Sequence, residues 1–201
     1  MLIAIEGIDG SGKTTVTNYI ADELRKRGYD VVVLKEPTNS EYGKKIRQIL
    51  RSRKTNPFEE LELFVKDREW NVQNNVLPAL KEGKIVIMDR YYYSTIAYQG
   101  ALGIDVEYIR KMNEIFPKPD LIIILDVSPE TALRRIKTKR KPDRFEDLEY
   151  LKKVREIFLN LKNNIVIIDA ERKLNEVKRD VLKVVLNTLK NFKERDKHDN
   201  S

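Results

Sequence analysis

Two hydrophobic patterns alternate along the chain. Short runs rich in β-branched residues, bounded by charge, Gly or Pro, predict strands over Leu2–Glu6, Val31–Lys35, Ile85–Asp89, Leu121–Asp126 and Ile165–Asp169. Most of these runs are apolar at consecutive positions, the mark of parallel strands covered on both faces. Between them, longer helical patterns predict helices over Lys13–Arg27, Glu41–Arg53, Pro57–Lys81, Val106–Ile115, Pro129–Lys139, Asp147–Leu161 and Leu174–Lys190. Parallel strands need crossover connections, so the order predicts an α/β domain, a doubly wound five-stranded parallel sheet with helices on both faces. Gly28 stands where a helix ends, and Pro57, Pro78 and Pro129 mark helix starts or ends. No repeat, low-complexity stretch or linker interrupts the pattern. Residues 1–201 read as one domain, with a polar tail from about 191 expected to fray.

A chain of 201 residues suffices for one full-sized core. It contains no cysteine, which excludes a disulfide framework, a thiolate metal site and a Cys nucleophile. His198 is the single histidine, so His-based triads and His-ligated zinc fall away as well. No apolar run approaches the roughly 20 residues that span a bilayer. The start, MLIAIEGIDG, lacks the basic region and cleavage site of a secretory signal. A cytoplasmic location without a membrane partner is expected. The net charge of +7 raises nucleic acid as a partner, but most of it sits in Arg134–Arg144, which holds seven Lys/Arg and one Asp. One concentrated basic segment suits a compact polyanion better than a long duplex. Taken alone, it also reads as a solvated helix end.

Gly7-Ile8-Asp9-Gly10-Ser11-Gly12-Lys13-Thr14 is a complete G-x-x-x-x-G-K-T between a predicted strand and a predicted helix. Its glycines let the backbone curl so that successive N–H groups face phosphate oxygens. The helix N-terminus adds a favourable field, and Lys13 reaches the β- and γ-phosphates. Residues 7–15, through Thr15, are therefore the expected ATP-binding loop. The Thr14 hydroxyl is placed to ligate Mg²⁺, and Asp89, at the end of an apolar strand, is the carboxylate expected to hold that ion or its water.

A phosphate loop does not by itself separate switches, motors and small-molecule kinases. The guanine-reading Asn-Lys-x-Asp of a GTPase is absent, and a motor needs a larger core. Arg47, Arg68, Arg90 and Arg144 fall near the presumed crevice instead, and several fixed cations suit transfer of a phosphoryl group onto another phosphate.

Seven elements carry a family resemblance. They are Glu6-Gly-Ile-Asp-Gly-Ser-Gly-Lys-Thr14, Lys35-Glu-Pro-Thr38, Leu63-Phe-Val-Lys-Asp-Arg68, Asp89-Arg-Tyr-Tyr-Tyr-Ser-Thr-Ile-Ala-Tyr-Gln-Gly100, Leu125-Asp-Val127, Asp143-Arg-Phe-Glu146 and Ile168-Asp-Ala170. In order and spacing the chain resembles the thymidylate kinases along nearly its whole length. The resemblance implies a three-layer α/β/α P-loop kinase fold that moves the ATP γ-phosphate to dTMP with Mg²⁺, usually as a homodimer. A broader deoxynucleoside monophosphate kinase, one also taking dUMP, is the alternative. A nucleotide-dependent nucleic-acid-binding module is the remote one.

Carried over by position, the implied substrate-binding set is Asp9, Pro37, Arg47, Phe64, Arg68, Arg90, Thr95, Tyr98 and Gln99. Phe64 stacks on the thymine, Arg68 meets its O4, Thr95 bonds the base edge and Tyr98 crowds the sugar 2′ position. Asp9 lies near the 3′-hydroxyl, while Arg47 and Arg90 clamp the acceptor phosphate. Each has an ordinary reading beside this one: Phe64 and Tyr98 as packed aromatics, Arg68 and Arg90 as ion-pair partners, Asp9 as a turn residue. The basic segment, about 134–146, matches a lid. Gly10 stands where some members carry Arg, so the transition-state cation is expected from the lid, Arg144 first and Arg140 second. Lys13, Arg90, Asp9 and these two arginines make up the expected catalytic set. Arg134 matches a residue stacking over adenine, and Arg172 falls in an adenine-side loop. The chain departs from the common pattern at Lys35-Glu36-Pro37-Thr38, where Arg-Glu-Pro-Gly is usual.

Overall fold

The computed structural model describes residues 1–51, 56–138, 147–162 and 165–198. Its five strands, β1 (Leu2–Glu6), β2 (Val31–Lys35), β3 (Ile85–Asp89), β4 (Leu121–Asp126) and β5 (Ile165–Asp169), have the bounds read from the sequence. They form one all-parallel sheet in the order β2-β3-β1-β4-β5. The central strands β1, β3 and β4 are buried along almost their whole length, as their unbroken apolar runs require. Every strand ends on a charged residue: Glu6, Lys35, Asp89, Asp126 and Asp169. A parallel sheet brings these five to the same edge, where open α/β sheets bind ligands.

The helices are α1 (Lys13–Arg25), α2 (Glu41–Arg51), α3 (Pro57–Asn71), α4 (Leu77–Lys81), α5 (Tyr92–Ala101), α6 (Val106–Asn113), α7 (Pro129–Lys137), α8 (Leu148–Asn160) and α9 (Leu174–His198). Helices α1 and α9 pack on each other and on the sheet, while α3, α5, α6 and α8 pack among themselves. Side-chain caps start five of them, from Ser40, Asn56, Asp105, Ser128 and Asp147.

Three differences from the sequence reading have physical causes. The single helix expected over Pro57–Lys81 contains a π turn, Val72–Val76, between α3 and α4. Pro78 follows directly; its ring crowds the carbonyl four residues back and it lacks an N–H, and the widened turn accommodates both. Helix α5 was not expected. Its residues Tyr92–Gln99 are all buried, so it carries no amphipathic stripe to betray it. Helix α9 runs to His198 through the tail expected to fray, because residues 190–198 contain neither Gly nor Pro to stop it.

Candidate active site

The loop between β1 and α1 turns on glycines with left-handed backbones, φ 136° at Gly7, 82° at Gly10 and 97° at Gly12. Gly10 is held by space as well: a Cβ there would lie 2.5 Å from the Ala132 carbonyl of α7. Lys13, the first residue of α1, is buried, and its ammonium donates to the carbonyls of Gly7 (2.9 Å) and Ile8 (2.8 Å). Burial, helped by the nearby Arg90 charge, lowers its pKa to about 7.

The Thr14 hydroxyl donates to Asp89 Oδ2, and the Lys35 ammonium lies 3.1 Å from the same carboxylate oxygen and 3.2 Å from Thr14 Oγ1. Burial opposes the Asp89 charge, but Lys13, Thr14 and Lys35 together hold its carboxyl below the usual range. The second carboxylate oxygen, Oδ1, is buried and has no partner among the described residues. A hydroxyl beside a carboxylate with an unmatched oxygen is the hard donor set that Mg²⁺ takes alongside its own waters. No cluster of three or more His, Cys, Asp or Glu that could hold a metal ion occurs among the described residues.

A cavity of about 620 Å³ opens over the loop. Residues 9–15 with Lys35, Asp89 and Arg90 form one wall, and Arg134, Arg135, Ile136, Thr138, Ala170, Arg172, Leu174 and Val177 form the other. Arg134 and Arg172 thus line the same cavity as the loop; Arg172 also pairs with Asp180 at 2.7 Å. The sequence reading missed Arg135, whose guanidinium donates to the Ala170 carbonyl (3.0 Å) and approaches that of Gly10 (3.5 Å). Its signal was available: Ala132 is the small residue that lets α7 sit on the loop, and position i+3 shares its face. The apolar wall of Ile136, Leu174 and Val177, suited to a flat base, was missed too. Arg140 and Arg144, with most of the lid, lie outside the described residues.

Arg90 follows β3 with a left-handed backbone, φ 74°, unusual for a residue with a side chain. Glu6 secures this turn by accepting from the N–H groups of Tyr91 (2.8 Å) and Ser94 (3.3 Å) and from the Ser94 hydroxyl. Complete burial outweighs these bonds and lifts the Glu6 carboxyl to about 7. The turn sends the Arg90 guanidinium back over the loop, to Asp9 Oδ1 (2.6 Å), Ser94 Oγ (2.9 Å) and the Gly7 carbonyl (3.3 Å). Tyr98 closes the corner, its hydroxyl accepting from Asp9 N–H at 3.0 Å while its ring faces Arg90.

Behind that corner lies a second, smaller cavity of about 70 Å³. Asp9 and Arg90 line it as well as the first, together with Pro37, Leu50, Phe64, Ser94, Thr95, Tyr98 and Gln99. The Gln99 side chain is fully buried, and neither its oxygen nor its nitrogen finds a partner among the described residues. A buried donor and acceptor left unmatched are costly unless a ligand meets them.

Arg68 does not line this cavity. Only 1% exposed, it donates from Nε and Nη2 to Glu36 (3.0 and 2.7 Å), from Nη1 to Asn113 (2.6 Å) and from Nη2 to Thr95 (2.9 Å). Arg47 also differs from its expected place, with its guanidinium on the carbonyls of Pro37 (3.2 Å) and Thr38 (2.6 Å). Asp67, which the sequence reading passed over, holds the same loop from below. It accepts from Thr38 N–H (2.8 Å), Thr38 Oγ1 (2.6 Å) and Ser40 Oγ (2.6 Å). Thr38, standing where Gly is usual, thus brings a hydroxyl that Asp67 binds. A side chain at Gly43 would run into the Thr38 carbonyl, so α2 needs glycine there to pack on the loop.

The family model for thymidylate kinase matches residues 5–181. A probable thymidylate kinase of Archaeoglobus fulgidus is 55% identical over 196 residues, covering 95% of this chain and 99% of its own. A thymidylate kinase of Desulfotalea psychrophila is 45% identical, with 94% of this chain and 96% of its own covered. A probable thymidylate kinase of Pyrobaculum calidifontis is 43% identical, with 92% and 95% covered.

Proposed function

The chain belongs to the thymidylate kinase family and is a kinase, and on that premise we propose that it transfers the γ-phosphate of ATP to dTMP, giving dTDP and ADP. The observation that carries this reading is the shared wall. The large cavity over the phosphate loop and the small one beside Phe64 are both lined by Asp9 and Arg90. A triphosphate in the first and a monophosphate whose base enters the second bring their phosphates together at that ion pair.

The roles follow from the contacts. The loop amides and Lys13 bind the β- and γ-phosphates; Arg135 supports the loop from α7, with Arg134 and Arg172 on the adenine side. Thr14 and Asp89 would hold the metal ion that accompanies ATP, Mg²⁺ on this reading, and bound there it would neutralise charge on the triphosphate. Arg90 receives the acceptor phosphate. Asp9 holds Arg90 in place and lies near the sugar with Tyr98. Phe64 supplies a flat face for the base, and the unmatched Gln99 amide, with Thr95, supplies a donor and an acceptor for its edge. Four of the five N–H donors of Arg68 go to protein, so it offers the base one at most. No strong general base is needed, because the attacking group is already a phosphate oxygen. Positioning and charge neutralisation carry the reaction, with Arg144 or Arg140 supplying the transition-state cation from the lid.

Among the described residues no helix is long and apolar enough to cross a membrane, and a cytoplasmic location goes with the proposal. A homodimer belongs to it as well. Phe58, Trp70 and Leu77 expose apolar surface on α3 and α4, and sedimentation equilibrium tests that assembly. The activity is tested by ADP release from ATP and Mg²⁺ with dTMP, dUMP, dCMP, dGMP and the ribose analogue of TMP in parallel. Strong preference for dTMP is the expected result. Comparable turnover of several acceptors would remove the narrow specificity, and no acceptor-dependent turnover would remove the kinase reading.

A further inference from the structure

Lys35 has an unusual place for a lysine. It is the last residue of β2, paired in register with Asp89, the last residue of β3. Neighbours in register on parallel strands point to the same side of the sheet, so the backbone itself aims Lys35 at the carboxylate. The Lys35 ammonium lies 3.1 Å from Asp89 Oδ2 and 3.2 Å from Thr14 Oγ1, and Thr14 and Asp89 are the two residues assigned above to the metal ion. The side chain is 56% exposed, so its outer end is free to swing into solvent or toward a ligand. The adjoining backbone is fixed, with Glu36 N–H bonded to the Asp89 carbonyl and the Glu36 side chain bonded to Arg68.

An ammonium and a divalent cation held by the same threonine and carboxylate lie within a few ångströms of each other. Two positive charges that close repel strongly, so they compete for the site even where they use different lone pairs. A lysine is suited to giving way: a compact point charge on a flexible stem, it can leave a carboxylate without breaking a bidentate fork. The arginine usual at this position in the family would hold Asp89 more rigidly.

We propose that Lys35 is an interchangeable cation for the metal site. Its ammonium compensates Asp89 and keeps Thr14 and Asp89 in ligating position, and it withdraws when the metal arrives with ATP. The inference rests on the kinase reading, since it takes the metal to bind with a nucleoside triphosphate. It makes Lys35 a positioning residue and places it in a linkage between metal and nucleotide. Without metal, ATP approaches a site whose carboxylate is already neutralised. If the lysine charge is removed, metal-free ATP meets Asp89 uncompensated, while metal-bound ATP supplies its own cation.

The test is a comparison of ATP affinity by isothermal titration calorimetry, with excess Mg²⁺ and with EDTA, for wild type, Lys35→Met and Lys35→Arg. The ratio of the two affinities is the gain due to metal. In Lys35→Met that gain is expected to exceed the wild-type gain by about tenfold, almost all of it from weaker metal-free binding. Lys35→Arg keeps the charge and brings the gain back toward wild type. An equal gain in wild type and Lys35→Met, a smaller gain in Lys35→Met, or no return with Lys35→Arg would each overturn the proposal and leave the kinase reading standing. Failure of the wild type to bind ATP under either condition would overturn both.

Discussion

The two sides of the active site are built by different means. On the donor side, one contiguous loop does most of the work: backbone N–H groups, three left-handed glycines and Lys13 all come from residues 7–14. On the acceptor side, no short segment is sufficient. Glu36 of the β2–α2 loop, Arg68 and Asn71 of α3, Thr95 of α5 and Asn113 of α6 form one buried hydrogen-bonded network. A backbone cradle recognises what all triphosphates share. A side-chain network can be tuned one residue at a time, and on the proposed reading it sets the choice of acceptor through Thr95, its member at the cavity wall. The network also holds the fold together, because a buried Arg68–Glu36 pair that loses one partner leaves the other charged and stranded.

Substitutions on the two sides should therefore separate chemistry from stability. Lys13→Ala is expected to lower turnover by about a thousandfold or more while the melting temperature changes little, since the ammonium removed was itself costly to bury. Steady-state rates and a thermal melt check both halves. Arg68→Met should do the reverse, costing about 3 kcal/mol of stability through the unpaired Glu36. Adding Glu36→Gln should recover part of that loss, as urea titrations of single and double variants would reveal. Asp67→Asn removes an acceptor from the 38–40 loop and should raise KM for dTMP about tenfold with kcat nearly unchanged, because the effect is on acceptor binding. A matching fall in kcat would mean that the loop also aligns the reaction.

The last expected effect is a pH dependence at the junction of the two sides. The folded protein holds the Glu6 proton up to about 7, whereas an exposed glutamic acid loses it near 4.5. Between those values the folded state binds more protons than the unfolded state, so stability falls as pH rises through the window. Urea unfolding at pH 5 and pH 7 should differ by about 2 kcal/mol from this source, and Glu6→Gln should remove that difference. Lys13 acts above the window: its folded pKa of about 7 makes stability rise with pH from there toward 10.5. An unchanged pH slope in Glu6→Gln would assign the dependence to other groups.

What the sequence made legible follows the same division. All five strands and the phosphate loop are local patterns, and their bounds and glycines read directly from the chain. Asp89 could be picked out because it ends a strand. Helix α5 could not, because burial on all sides erases the periodicity by which helices are recognised. The π turn was equally silent, since one widened turn leaves the residues around it helical. On the acceptor side the resemblance named Arg68, Thr95 and Gln99, but it did not reveal that Arg68 stands behind Thr95 or that Gln99 is unmatched. Asp67 was quoted as part of a motif and given no role, because its partners Thr38 and Ser40 lie far away in the chain and meet it only through packing of the β2–α2 loop on α3.

The seat of Gly10 beneath the Ala132 carbonyl carries an evolutionary consequence. An arginine at this loop position would bring a charge to the phosphates from the loop itself, but here any side chain at position 10 collides with the backbone of α7. A descendant of this chain cannot acquire that arginine in one mutational step. Helix α7 has to be reseated first, and a helix moved back from a loop that still carries glycine gains nothing to be selected for. Glycine and arginine at position 10 are thus separated by an epistatic valley, crossed only when helix and loop change together.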